Sequence, residues 1–328
     1  MVGTSLPSTA LPKAASLTDA LTLSLSPLVS RDEFAKLRQA FERALRTTTR
    51  SLPAGERIRV DGYSLRNAIS GDAGHGGSFR WSPWTARRPI GIECVRAYLA
   101  NTRLTPLQAS HDVITRLVRQ ADEQRGRPGS LSEWLAGLAV GGRAVVQAEA
   151  VVWATQLITA LDWTKLRHPI VGGDRSVVLP SSRQVLLRGR IEVQTFATPT
   201  QPPLTQAHGR LEPEPSVLFA MMTGRPSPTA RTELGLAALT VALGDRRGET
   251  PIRVLGWWPQ CGRALVVPVD VTLLKHTCEA VIGAVRSACP TTRQQSRSAS
   301  GTGERARRRE TVRNSPPQAA VDVDRIAS

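Results

Sequence analysis

SVLFAMMTGRP, residues 216–226, runs through seven uncharged residues of strand type straight into a Thr-Gly-Arg turn. Apolar side chains at successive positions, not only alternate ones, fit a strand in a sheet covered on both faces, where neither side meets water. The stretch holds no acid and no lysine. Its surroundings decide which fold it belongs to.

On either side the period changes between that of a strand and that of a helix. VVLP (177–180) and QVLLRGRIEVQTF (184–196) carry β-branched residues with partial alternation and read as strands before it. After it, ARTELGLAALTVAL (230–243) reads as a helix. IRVLGWWP (252–259) and RALVVPVD (263–270) flank Gln260-Cys261-Gly262 and predict a hairpin, in which Trp257 and Trp258 point to opposite faces. DVTLLKHTCEAVIGAV (270–285) closes the pattern as an amphipathic helix. Upstream the chain is helical. Ser30 caps a helix with Phe34, Leu37, Phe41, Ala44 and Leu45 on one face, and Thr105-Pro106 opens another with proline at its first position. Another helix begins near Pro89, and Ser130 with Glu133 matches a capping box. Gly141-Gly142 precedes a long helix over about 143–161, with Val145, Val152, Trp153 and Ile158 among its apolar positions.

The order predicts an α/β fold: an α-β-β-β-α-β core with a mixed sheet at 140–287, preceded by a helical lead-in region at 30–139. Residues 1–29, rich in Ser, Thr, Leu and Pro, read as poorly ordered. Residues 288–328 read as a disordered Arg/Ser-rich tail, basic but with almost no large apolar residues.

Composition narrows the function classes. The 328 residues hold 43 Lys+Arg against 27 Asp+Glu, a net charge of +16, nearly all of it arginine. Arginine favours bidentate contacts with phosphate and carboxylate, so a DNA or RNA partner is one expectation. Genomes rich in G and C also inflate arginine, which is the other. Cysteines 94, 261, 278 and 289 form no CxxC pair, and the five histidines share no metal-ligand spacing, so a disulfide framework or zinc site is not expected. GDAGHGG (71–77) lacks the Gly-Lys-Ser/Thr ending of a phosphate loop and reads as a turn. No signal peptide and no apolar run of about 20 residues is present, so the expectation is a cytoplasmic protein with no membrane partner.

Two short strings carry a resemblance. Gly189-Arg190-Ile191-Glu192 lies in one predicted strand, and Ala220-Met221-Met222-Thr223-Gly224, then Arg225, ends a later one. Glu233 and Ala237 follow four residues apart in the next helix. In order and spacing these resemble the PD-(D/E)XK nuclease superfamily, in particular its RecB-type exonuclease branch, over roughly 140–287. That branch has Gly-Arg-Ile-Asp, then Asp-Tyr-Lys-Thr-Gly, then a Gln and a Tyr. The resemblance implies a restriction-endonuclease-like core whose active form holds magnesium on carboxylates beside a lysine. Here Glu192 keeps an acid, but Ala220 and Met222 stand where the second acid and the lysine belong. Alanine has no side-chain oxygen, and magnesium does not favour a thioether. On this reading the motifs are degenerate and no cofactor is expected.

Three functions stay open. The leading one is a catalytically inactive nuclease-like protein that serves as a nucleic-acid-binding or assembly module, with DNA, RNA or another protein of a DNA-processing assembly as partner. The second is an active magnesium-dependent nuclease in which Glu149, Glu192 and Glu233 converge as a migrated carboxylate cluster and Arg225 supplies the positive charge. The third is a protein-interaction scaffold without a nucleic-acid role, in which Arg87 and Arg88 are paired with the chain's own acids. For nucleic-acid contact the candidates are Arg80, Trp81, Trp84, Arg87 and Arg88, where flat rings interleave with arginines as in single-strand binders. The alternative for both tryptophans is packing against the adjoining helix.

Overall fold

The computed structural model describes residues 17–23, 26–53, 55–71, 80–123, 129–172, 174–179, 184–197, 215–245 and 249–289. In chain order the first elements are α1 (Leu17–Thr22), α2 (Arg31–Thr48), β1 (Ile58–Val60), α3 (Gly62–Ser70), α4 (Pro83–Ala100), α5 (Pro106–Glu123) and α6 (Leu131–Ala136). They continue with α7 (Val140–Ala160), β2 (Arg167–Val171), β3 (Arg175–Val178), β4 (Val185–Gly189), β5 (Val193–Phe196) and β6 (Ser216–Met221). The last are α8 (Ala230–Gly244), β7 (Arg253–Trp258), β8 (Arg263–Pro268) and α9 (Val271–Ala288). The fold is mixed α/β, with two mixed sheets. Contacts divide the chain into Met1–Arg286 and Ser287–Ser328; of the second unit only 287–289 are described. The loop residues 72–77, most of the segment 1–29 up to residue 16, and the arginine-rich tail from 290 lie outside the described residues.

Several helix ends form because their sequences satisfy the first free backbone donors. Ser30 and Glu33 make a reciprocal capping box on α2. Ser130 accepts the Glu133 N–H on α6, while the Glu133 carboxylate reaches back to the Gly129 N–H and not to Ser130. The helix expected near Pro89 begins earlier: Ser82 caps α4, Pro83 fills its first turn, and Pro89 lies inside it.

The larger sheet has the order β2-β5-β6-β7-β8, with β6 and β7 parallel through α8 and the other pairs antiparallel. β6 is its centre. Val217, Phe219 and Met221 face a core that includes Ile90, Val146, Trp153 and Leu157 from α4 and α7. On the other face Gly256 of β7, paired with Ala220, comes close to Leu234 of α8 and to Met222. Both faces of β6 are therefore covered, which accounts for its unbroken apolar run. Of the neighbouring tryptophans, Trp258 is buried, and Trp257 packs tilted against Phe219 at 6.2 Å between centroids.

Residues 184–196 are not one strand. β4 belongs to a second sheet of order β1-β4-β3, and only β5 joins the larger one. The chain leaves the ladder at Gly189, where it touches α8 so closely that a Cβ would overlap the Thr240 hydroxyl and lie 2.9 Å from the Ala237 Cα. Glu192 then re-enters the larger sheet by donating its N–H to Phe219 O at 2.9 Å.

Two boundaries, one drawn from the order of elements and one from composition, also change. No division falls at 139/140, because α7 packs along α4 and α5 and builds one core with them. Within 1–29, α1 is seated: Leu21 is buried, Thr18 accepts the Asp162 N–H at 2.8 Å, and Arg253 donates to the carbonyls of Ala20 and Leu23. Among the described residues no helix is long and apolar enough to cross a membrane. Burial pushes the thiols of Cys94 and Cys278 up to about 12, which keeps both unreactive.

Candidate functional site

Glu192 is the only acid in the two strand motifs, and it lies one strand away from Ala220 and Met222. Its side chain is fully buried, at 0% exposure. One oxygen, Oε2, accepts the Met221 N–H at 2.7 Å, in the place where a neighbouring strand would present a carbonyl. The other, Oε1, accepts from Arg88 Nε at 2.6 Å and Arg190 Nε at 2.7 Å. The carboxylate thus ends the β5–β6 ladder and neutralises two arginines at once.

Arg88 extends the cluster. Its Nη1 donates to Asp174 Oδ1 at 2.6 Å, and Arg188 pairs with the second oxygen of Asp174. Three arginines, from α4 and from either end of the β4–β5 break, therefore share two acids. Burial works against the ionised form of Glu192, but the charges of Arg190 and Arg88 and their hydrogen bonds outweigh it and hold the carboxyl below its ordinary range. Burial likewise works against the Arg88 charge, and Glu192 and Asp174 more than compensate. Asp174, Arg188 and Arg190 were not singled out in the sequence. The only signal was the position of Arg190 inside Gly-Arg-Ile-Glu.

The other acids go elsewhere. Glu233 sits in the first turn of α8, where Arg66 of α3 grips both its oxygens at 2.9 and 2.8 Å and Thr229 adds a hydroxyl donor at 3.0 Å. Glu149 on α7 faces Arg87 Nη1 at 3.4 Å. Glu192 is thus held by Arg88 and Arg190, Glu233 by Arg66 and Glu149 by Arg87, and the three carboxylates share no arginine. Among the described residues no group of three or more His, Cys, Asp or Glu is placed to hold a metal ion. Arg225 is exposed on the turn after β6, with Gly224 in the left-handed region at φ 74°. Glycine adopts that conformation without strain, so the Thr-Gly-Arg turn needs no ligand to form.

The basic and aromatic residues of 80–88 divide in the same way. Trp81 donates its indole N–H to Gly129 O at 2.8 Å and lies 6.4 Å from the Trp134 ring. Arg88 is committed to Glu192 and Asp174. Arg87 stacks on Trp84, its guanidinium carbon 3.0 Å from the ring centre, while pairing with Glu149. Trp84 stays 55% exposed, and Arg80 is exposed at the start of the segment. Comparison with protein-family models gives no match, and comparison with curated protein sequences gives none.

Chemically, the arrangement fixes structure. A carboxylate that binds magnesium needs free lone pairs facing solvent or substrate. Those of Glu192 accept from two guanidinium groups and a backbone amide, and no hard oxygen ligand stands at Ala220 or Met222.

Proposed function

We propose that this chain is a catalytically inactive, nuclease-like assembly module that works through contact with another macromolecule and not by hydrolysis. The observation that carries this reading is Glu192, buried to 0% and held by Arg88, Arg190 and the Met221 N–H. Two further features support it. In the larger sheet β2, β5 and β6 follow α7, and β7 runs parallel to β6 after α8, with β3 and β4 of the second sheet inserted between β2 and β5. Apart from that insertion the succession is similar to the order expected of a RecB-type core. Arg87 and Arg88, the arginines best placed by sequence for a phosphate chain, pair with the protein's own acids.

The test is incubation of labelled single- and double-stranded DNA with magnesium or manganese. No cleavage above background is expected. Cleavage by the wild type that disappears in a folded Glu192→Gln variant would reverse the reading.

A second reading, nucleic-acid contact without catalysis, is favoured by exposed Trp84 with Arg87 on one face of its ring and Arg80 nearby. It predicts weak single-strand binding by fluorescence anisotropy, falling steeply with salt. Replacement of Trp84 by alanine would weaken it by about 1–3 kcal/mol, the worth of one stacked base. Binding absent at low salt removes this reading.

A further inference from the structure

α7 is apolar nearly all round its circumference, a pattern expected of a helix buried on every side. In the chain as described only part of it is covered. Ala150, Trp153, Ala154 and Leu157 turn inward, whereas Val140 (83%), Val145 (53%) and Val152 (55%) are exposed. Val140 apart, every exposed residue of α7, from Gly141 through Val145 and Val152 to Thr159, falls within an arc of roughly 100°. Not one of them is charged. Arg143, the one arginine of α7, is turned away onto the carbonyls of Leu135 and Ala136. Glu149, its one acid, borders the face with its side chain 40% exposed. A contiguous face of this kind marks an interaction surface, as scattered single apolar residues do not.

We infer that residues 1–16 of the same chain lie along this face, running parallel to α7. Such a cover goes beyond the function proposed above and does not depend on it. Position, reach and charge select this occupant. The segment leads into α1, where buried Thr18 accepts the Asp162 N–H at 2.8 Å, just past the end of α7 at Ala160. The bonds from Arg253, to Ala20 and Leu23, hold the other end of α1. Residue 16 therefore enters beside the C-terminal end of α7. Proline after Leu6 and after Leu11 favours extended backbone at both leucines. At about 3.1 Å per residue, Leu11 lies about 19 Å and Leu6 about 34 Å from Leu17. Along the helix, at about 1.5 Å per residue, Val152 lies about 12 Å, Val145 about 23 Å and Val140 about 30 Å from Ala160. Leu11 is thus set between the two exposed valines of the face, and Leu6 reaches the first turn of α7. Charge agrees with this register. Residues 1–16 hold no acid and a single lysine, Lys13. Lys13 lies about 12 Å from Leu17 and Glu149 about 17 Å from Ala160, a difference that a lysine side chain spans. Arg87 meets Glu149 only at 3.4 Å, which leaves the carboxylate open to a second donor. A second copy would instead bring a net charge of +16 against another of the same sign.

Photo-crosslinking of the full chain tests this. A benzoylphenylalanine placed at Val152 is irradiated at about 1 µM, a concentration that disfavours weak contact between chains. The products are digested with trypsin and mapped by mass spectrometry. The expected result is a link to the peptide 1–13 within one chain, with no product of twice the chain mass. The same probe at Val178, on an exposed strand position of β3, is expected to give no such link. Leu6→Ser/Leu11→Ser removes both apolar anchors and is expected to lower the yield by about tenfold or more. Circular dichroism checks the fold, and should the probe at Val152 unfold the chain, a probe at Val145 is read in its place. Absence of a link to 1–13 overturns the inference, as does a link chiefly to a second chain or to another segment. A yield that the leucine substitutions leave unchanged, or that the probe at Val178 matches, overturns it equally. None of these outcomes bears on catalysis, which the DNA cleavage assay decides separately.

Discussion

Glu192→Ala is expected to lower the free energy of unfolding by about 3–5 kcal/mol, the cost of leaving a buried partner charge uncompensated. Two guanidinium groups lose their shared acceptor, and the Met221 N–H loses the Glu192 oxygen it donates to at the end of the β5–β6 ladder. Arg88 is the less tolerant of the two, because its Nη2 is already buried with no hydrogen-bond partner among the described residues. Its remaining bond to Asp174 keeps the loss at the lower end of the range. Urea unfolding followed by tryptophan fluorescence measures the effect, with the slope in denaturant unchanged if only stability has moved. Glu192→Gln retains an acceptor for Met221 and is expected to fall between the two. A loss below about 1 kcal/mol for alanine would mean that the cluster is open to water and that Glu192 is available for other chemistry.

The pH dependence follows from the same contacts. A carboxyl held below its ordinary range in the folded state contributes its full stability above the unfolded value, about 4.3 for glutamate. That contribution is lost as pH falls through the folded value. Wild type and Glu192→Gln should therefore differ most near neutrality, and the gap should begin to narrow as pH falls below the unfolded value of about 4.3. Paired unfolding curves from pH 7 to pH 3 show this directly. A gap that widens in acid would contradict the assignment of the charge to Glu192.

Much of the architecture was legible because its signals are local. The cap of α2 at Ser30, the proline start of α5, the run of β6, the length of α8, the β7–β8 hairpin and the Asp270 start of α9 all depend on residues a few positions apart. What escaped depends on distant partners. β2 contains Pro169 and a left-handed His168, which spoil its strand pattern, and β1 is only three residues long. The break between β4 and β5 has no proline to announce it. It is set by α8 pressing on Gly189 and by Glu192 reaching the Met221 amide 29 positions away. Arg87 and Arg88 looked like a phosphate surface because their acids lie 62 and 104 residues further on. The same limit applies to α7. Val145 and Val152 share an apolar pattern with Trp153 and Ile158, and only packing against α4 and α5 decides that the first two face outward.

Trp153→Ala is expected to cost a similar amount, about 3–5 kcal/mol, through the cavity it leaves between α4 and α7. Trp153 is buried at the centre of the helical core, and its ring lies directly over Gly91, so closely that a Cβ on Gly91 would overlap it. That contact is why α4 tolerates a glycine in its middle, where alanine would otherwise favour the helix by about 1 kcal/mol. Gly91→Ala alone should therefore destabilise the wild type by about 1–3 kcal/mol, because the ring must shift in a packed core. In the Trp153→Ala background the same substitution meets no ring. Its sign should reverse, with the new methyl group refilling part of the cavity and the helix gaining propensity. A double-mutant cycle on urea unfolding free energies measures the coupling. Additive effects would mean that α4 and α7 do not meet at Gly91, and the core that supports the outward face of α7 would have to be drawn differently.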